Sequence, residues 1–136
     1  MTTQMFDRIK YMDREYGLAG APLEAYFSAH PDLRPQYASR NTACWRGYVA
    51  RWEIRDEKLY LVGMDMISFK DATFKSIFPD APDSGIFADW VTGELKCPHG
   101  KIAPRTMTAP GPVYEFTLLF RAENGVIRSV LEQKNF

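Results

Sequence analysis

A chain of 136 residues, 46% hydrophobic and 25% charged, has the size and composition of one ordinary globular domain, expected here to span residues 1–136. A domain of this length buries roughly two-thirds of its unfolded surface, so it needs neither disulfide staples nor a structural metal. Lysine plus arginine equals aspartate plus glutamate at 17 each, so the basic excess of a non-specific nucleic-acid binder is missing and no nucleic-acid partner is expected.

The N-terminal stretch holds Asp7, Arg8 and Lys10 and no apolar signal segment. Apolar runs are far too short to cross a bilayer, and a cytoplasmic location with no membrane partner is expected. The aromatic fraction of 14% favours sheet, because aromatic side chains fit a pleated, half-buried surface.

Asp7 to Leu18 reads as a hairpin. Ile9 and Tyr11 alternate with Arg8 and Lys10, Met12-Asp13-Arg14 forms the turn, and Tyr16 and Leu18 resume the pattern. Pro22 suits the first turn of a short helix, and Leu23, Tyr26 and Phe27 fall on one helical face. Pro31 and Pro35 end it and open a loop to about Asn41. Cys44 to Ile54 is a long strand, Asp56-Glu57 a tight turn, and Lys58 to Met66 an apolar return strand suited to a central position. Asp71 to Phe78 reads as a second short helix, closed by Pro79 and Pro82. Ile86 to Val91 and Glu94 to Cys97 read as short strands.

Prolines 98, 104, 110 and 112 make residues 98–112 the least regular stretch, a long loop of the sort that often carries function. Glu115 to Arg121, the Asn124-Gly125 turn and Val126 to Leu131 form the closing hairpin. The expected fold is α+β and mainly β: an antiparallel sheet of hairpins, about six to eight strands, with two short helices.

The blocks DRIKYMDREYGLAGAPLEAYF, NTACWRGYVARWEIRDEKLYLV and IFADWVTGEL, with the closing hairpin around ENG, resemble a family of small, stand-alone bacterial proteins. The likeness spans most of the chain, and its W-R-G-Y and F-A-D-W-x-T-G-E blocks are its most specific parts. It implies a bacterial origin and a cytosolic setting, and attaches no activity and no catalytic residues. The chain departs from the family pattern at Lys96-Cys97-Pro98-His99-Gly100-Lys101 and at Arg105-Thr106-Met107-Thr108-Ala109-Pro110-Gly111. The proline-rich loop is therefore where this protein has business of its own.

His30, Cys44, Cys97 and His99 would fill one zinc shell by number. Only Cys97 and His99 are close, and their spacing is not that of a structural zinc pair, so no metal and no cofactor is expected. Cys44 alternates with Arg46 and Tyr48 and reads better as a small core residue than as a nucleophile. The glycines are scattered, and no phosphate-binding loop or hydrolase elbow is present.

Two function classes remain. Trp45, Arg46, Tyr48 and Trp90, rimmed by loop residues His99 to Arg105, are residue types that anchor protein interfaces, although a sheet core with arginines at its rim uses the same ones. Asp65, Asp89, Glu94 and Glu115 would instead make a carboxylate cluster for acid–base chemistry if two faced one cleft, against the more ordinary role of capping turns or pairing with arginine. With no catalytic signature, the first reading is preferred: a protein-binding module, immunity- or antitoxin-like. The alternative is a small-ligand protein or hydrolase-type enzyme. Homodimerisation through an exposed sheet edge is compatible with either.

Overall fold

A computed structural model describes residues 4–35, 43–69, 72–104 and 111–136. Over the described residues the protein is mainly β, with eight strands and two short helices. Strands β1 (Asp7–Tyr11) and β2 (Arg14–Leu18) lead into helix α1 (Leu23–Ala29) and a 3₁₀ turn over Pro31–Leu33. Next come β3 (Tyr48–Arg55), β4 (Lys58–Met66), helix α2 (Phe74–Ile77) and the two-residue β5 (Ile86–Phe87). Strands β6 (Gly93–Ile102), β7 (Tyr114–Glu123) and β8 (Val126–Lys134) complete the chain. Their order is β2-β1-β3-β4-β8-β7-β6, with β5 beside β4.

All neighbours are antiparallel except β1 and β3, which run parallel with Ile9 beside Trp52. A parallel pair needs a crossover, here supplied by β2, α1 and the segment before β3. The sheet is open, and Ala19, just after β2, bridges to β6 where its N–H donates to the Lys96 carbonyl at 2.9 Å.

Three hairpins turn through two residues in the left-handed region. These are Met12-Asp13 (φ 48° and 64°), Asp56-Glu57 (50° and 62°) and Asn124-Gly125 (48° and 81°). Such turns match the twist of the flanking strands, which outweighs the cost of positive φ at residues other than glycine. The third turn is also clamped from outside, because the Asn124 N–H donates to Thr92 Oγ1 at 2.9 Å.

Period-two alternation sends Ile9, Leu18, Trp52, Leu59, Leu61 and Phe120 into one core, each no more than 1% exposed. Helix α1 closes over it. Leu23 and Phe27 are buried at helical spacing, and the Phe27 ring meets Tyr48 edge-on at 5.9 Å. Each fully buried side chain of this size contributes about 1.5–3 kcal/mol of hydrophobic stabilisation.

Helix α2 is shorter than the sequence pattern, since Thr73 caps it: Thr73 Oγ1 accepts from the Ser76 N–H, and Ser76 Oγ accepts from the Thr73 N–H. Strand β6 is longer than expected. It runs through Pro98, which pairs with Thr117. An edge strand tolerates a proline because the missing N–H can face away from its single ladder partner. The strand therefore takes residues 98–102 from the expected loop at 98–112, of which residues 105–110 lie outside the described residues. Among the described residues, no helix is long and apolar enough to cross a membrane.

Candidate functional site

Asp7 is the first residue of β1 and shares the inward parity of Ile9 and Tyr11. It is 0% exposed, yet fully partnered. Its Oδ1 accepts from Arg46 Nη2 at 2.7 Å and from the Ala50 N–H at 3.0 Å, and its Oδ2 accepts from Trp52 Nε1 at 3.2 Å. Burial raises the Asp7 pKa above the usual carboxylate value, against the opposing pull of Arg46 and the donated hydrogen bonds.

The Arg46 guanidinium lies 5.5 Å from the centroid of the Tyr48 ring. The Tyr48 hydroxyl in turn donates to Glu24 Oε2 at 2.6 Å. Burial, and then Glu24, push the Tyr48 hydroxyl well above its ordinary pKa. Arg34 pairs with the other oxygen of Glu24 and rests over Phe27. A polar chain thus joins β1, α1 and the entry to β3: Arg46 with Asp7 and Trp52, and Arg34 with Glu24 and Tyr48.

Above this floor Trp45 points outward, 61% exposed. Its backbone N–H donates to Gln4 Oε1 at 2.8 Å, and the Met5 N–H donates to the Ala43 carbonyl at 2.7 Å. These bonds hold residues 4–6 alongside the 43–45 segment. A groove of about 470 Å³ runs between Gln4, Met5, Phe6, Glu24, Trp45 and Arg46. On the far side of residues 4–6, a second groove of about 540 Å³ includes Arg8, Val49, Asp65 and Ile67 in its lining. Gln4, Met5 and Phe6 line both, with exposed Met5 shared, Trp45 in the first and Ile67 in the second.

Of the residues singled out in the sequence, the structure brings Trp45, Arg46 and Tyr48 together, but in different roles. Only Trp45 is presented to solvent. Tyr48 is fully buried and belongs to the core, because β3 turns its ring inward against Phe27. Trp90 is half-buried elsewhere, its Nε1 donating to the Pro22 carbonyl at 3.3 Å and its ring 4.9 Å from Tyr26. His99 sits on β6, stacked on Phe116 at 5.3 Å and edge-on to Tyr16 at 5.4 Å. Its Nε2 is 2.8 Å from Glu132 Oε1, though out of hydrogen-bonding alignment. His99 lines neither groove, and Arg105 lies outside the described residues.

The four carboxylates are not brought together. Asp65 faces Arg51 at 3.5 Å, and Glu94 faces Lys96 at 3.9 Å. Asp89 is exposed in the link after β5, and Glu115 Oε1 accepts weakly from the Lys101 N–H at 3.5 Å. The groove that holds Asp65 and the one that holds Glu94 contain no other member of the set.

Among the described residues, no three histidine, cysteine or acidic side chains converge as metal ligands. Cys44 and Cys97 are both free and buried. The Cys44 thiol donates to the Tyr48 carbonyl at 3.3 Å, and burial pushes the Cys97 thiol up to about 12. Cys97 is therefore not a ready thiolate.

Sequence reasoning missed Asp7 and Glu24. The available signal was parity, since Asp7 stands two residues before Ile9 on the face that Ile9 and Tyr11 bury. Comparison with family models, with curated proteins and with solved structures gives no match, so the site is read from its own geometry.

Proposed function

We propose that this protein is a protein-binding module of the bacterial cytosol, of the immunity or antitoxin kind, which docks its partner on the Trp45 surface. One observation carries the reading: a tryptophan exposed over more than half its surface lines an open groove on a fixed base. A large exposed indole costs solvation unless something covers it. Tryptophan flanked by arginine is also the side-chain combination that concentrates binding energy in protein interfaces.

The buried Arg46–Asp7 pair supports this role by fixing the backbone from which Trp45 projects. An anchor held in place loses less side-chain entropy on binding. The matching partner surface is an apolar pocket with a polar rim that can meet Gln4, Glu24 and Arg8. The small-ligand and hydrolase reading has no comparable support, because its carboxylates share no cleft.

The test is a comparative capture from the native host, with tagged wild type and the Trp45→Ala variant under identical gentle conditions. A stoichiometric protein retained by wild type and depleted at least tenfold with Trp45→Ala supports the proposal. Equal retention by both places the interface elsewhere, and an empty eluate from both removes the basis for a protein partner.

A further inference from the structure

Strands β2 and β6 meet along a seam that the backbone closes at one end. The Ala19 N–H donates to the Lys96 carbonyl at 2.9 Å in an antiparallel bridge. That register, continued into both strands, sets Gly17 opposite Pro98 and Tyr16 opposite His99. Every second pair of an antiparallel ladder exchanges both bonds, so Gly17 and Pro98 hold its next place. Proline has no N–H to give there. Among the described residues the ladder between the two strands stops at the Ala19–Lys96 bridge.

Side chains continue the seam where the backbone leaves off. The His99 ring meets the Tyr16 ring edge-on at 5.4 Å and stacks on Phe116 of β7 at 5.3 Å. The His99 side chain is 20% exposed, and its Nε2 lies 2.8 Å from Glu132 Oε1 of β8. Nε2 itself is buried, with no acceptor aligned on it. A hydrogen bond weakens steeply off its axis, whereas the attraction of an ion pair depends on distance. The contact with Glu132 therefore draws its strength from the charged form of the ring. The Phe116 face adds to it, since a cation within about 6 Å of an aromatic centroid is attracted.

We propose that His99 is a pH-operated clasp on this seam. Its charged ring ties β6 to β8 through Glu132 and packs against Tyr16 of β2, and loss of the proton loosens β2 from β6. Histidine is the side chain that ordinarily changes charge between about pH 5 and 8. A closed seam that holds the proton more tightly than an open one is most secure in acid and weakens as pH rises through the His99 titration.

The neighbouring charges set the size of the effect. Arg14 of β2 lies over the Tyr16 ring, 5.3 Å from its centroid, and Lys134 of β8 stands opposite Phe116. Both oppose a charged His99. Glu115 of β7 is turned to the Lys101 N–H, which leaves Glu132 as the acid in contact with the ring among the described residues. A partly exposed ion pair of this kind changes the opening equilibrium of the seam about threefold. None of this uses the Trp45 surface, and the two proposals stand or fall separately.

The test measures protection of the Ala19 amide against hydrogen exchange in the full chain, in steps from about pH 5 to 8, with the histidine rings followed by NMR in the same samples. A protection factor removes the intrinsic pH dependence of exchange, so what remains reports local opening. Wild type is expected to lose about threefold in Ala19 protection as pH rises, with a midpoint that coincides with the His99 titration. His30, the other histidine, ends helix α1 with its ring 4.5 Å from Tyr26, and its signal is the one that survives in His99→Phe. That variant keeps a ring in the stack, and Glu132→Gln keeps the shape of an exposed side chain. Both should leave Ala19 protection independent of pH, and amides of β3 and β4 should keep their protection in all three proteins.

Constant Ala19 protection in wild type overturns the proposal. So does a loss with pH that persists in His99→Phe or in Glu132→Gln, which places the titrating contact elsewhere. A loss shared by the β3 and β4 amides also overturns it, because it reports unfolding of the domain rather than opening of the seam.

Discussion

Asp7 Oδ1 and Arg46 Nη2 lie 2.7 Å apart across 39 residues of sequence, with the carboxylate wholly buried. This contact ties the start of β1 to the segment that carries Trp45. Two features keep it from being a loose surface pair: the Ala50 N–H shares Oδ1 with Arg46, and Trp52 Nε1 donates to Oδ2. Removing one partner of a buried pair strands the other charge. Asp7→Ala is therefore expected to cost about 3–5 kcal/mol, measured by urea denaturation. A cost below about 1 kcal/mol would mean that the pair behaves like an exposed one.

The pH dependence of the same residue has a definite sign. Burial raises the Asp7 pKa above the ordinary aspartate value, so the folded state holds the proton more tightly than the unfolded chain. The contribution is fully present below the unfolded value and is lost as pH rises through the folded one. The stability advantage of wild type over Asp7→Asn should therefore be greater in acid than at neutral pH. Denaturant midpoints of both proteins, taken on either side of the carboxylate range, check this. A gap that widens toward neutral pH would contradict it.

Gly125 is needed for its shape as well as its flexibility. Its φ is +81°, and a Cβ built there would stand 2.5 Å from the Ala88 carbonyl oxygen. Gly20 has nearly the same φ, +84°, with nothing within 4 Å. Both alanine variants should lose the roughly 1–2 kcal/mol of left-handed strain, and Gly125→Ala should lose more. Thermal melts of the two variants separate strain from collision. Equal losses would show that the chain relaxes around the added methyl.

Both thiols should be silent in the folded protein. Cys97 has its pKa pushed up to about 12 by burial, and Cys44 is fully enclosed. A thiol reagent at mildly alkaline pH should label neither until denaturant is added, when both react. Rapid labelling of Cys97 under native conditions would place the β6 strand outside the core.

Much of the sheet was legible because its rules are local. Alternation in Asp7–Leu18, Cys44–Ile54 and Glu115–Arg121 marked strands, the apolar run Lys58–Met66 marked a return strand, and Asn124-Gly125 marked its turn through the need for positive φ, although β3 itself begins only at Tyr48. What failed to show depends on distant partners. The parallel pairing of β1 with β3 joins strands separated by α1 and a loop, and nothing in either strand announces it.

Pro98 signalled a loop when read locally, but an edge position absorbs a missing donor, so β6 continues. Tyr48 and Trp45 looked alike as aromatic anchors. Only the path of the chain decides that one is buried against Phe27 and the other faces solvent. Asp7 reads locally only as one charge of the N-terminal stretch, because its three donors come from residues 46, 50 and 52, far along the sequence.

The central claim is that Trp45 anchors a protein partner. The most direct measurement places a photo-crosslinking amino acid at position 45 in the native host, with the same substitution at the exposed Asp89 as control. The account predicts one discrete crosslinked protein from position 45 and none of it from position 89. No crosslink from position 45, or the same products from both positions, would contradict it.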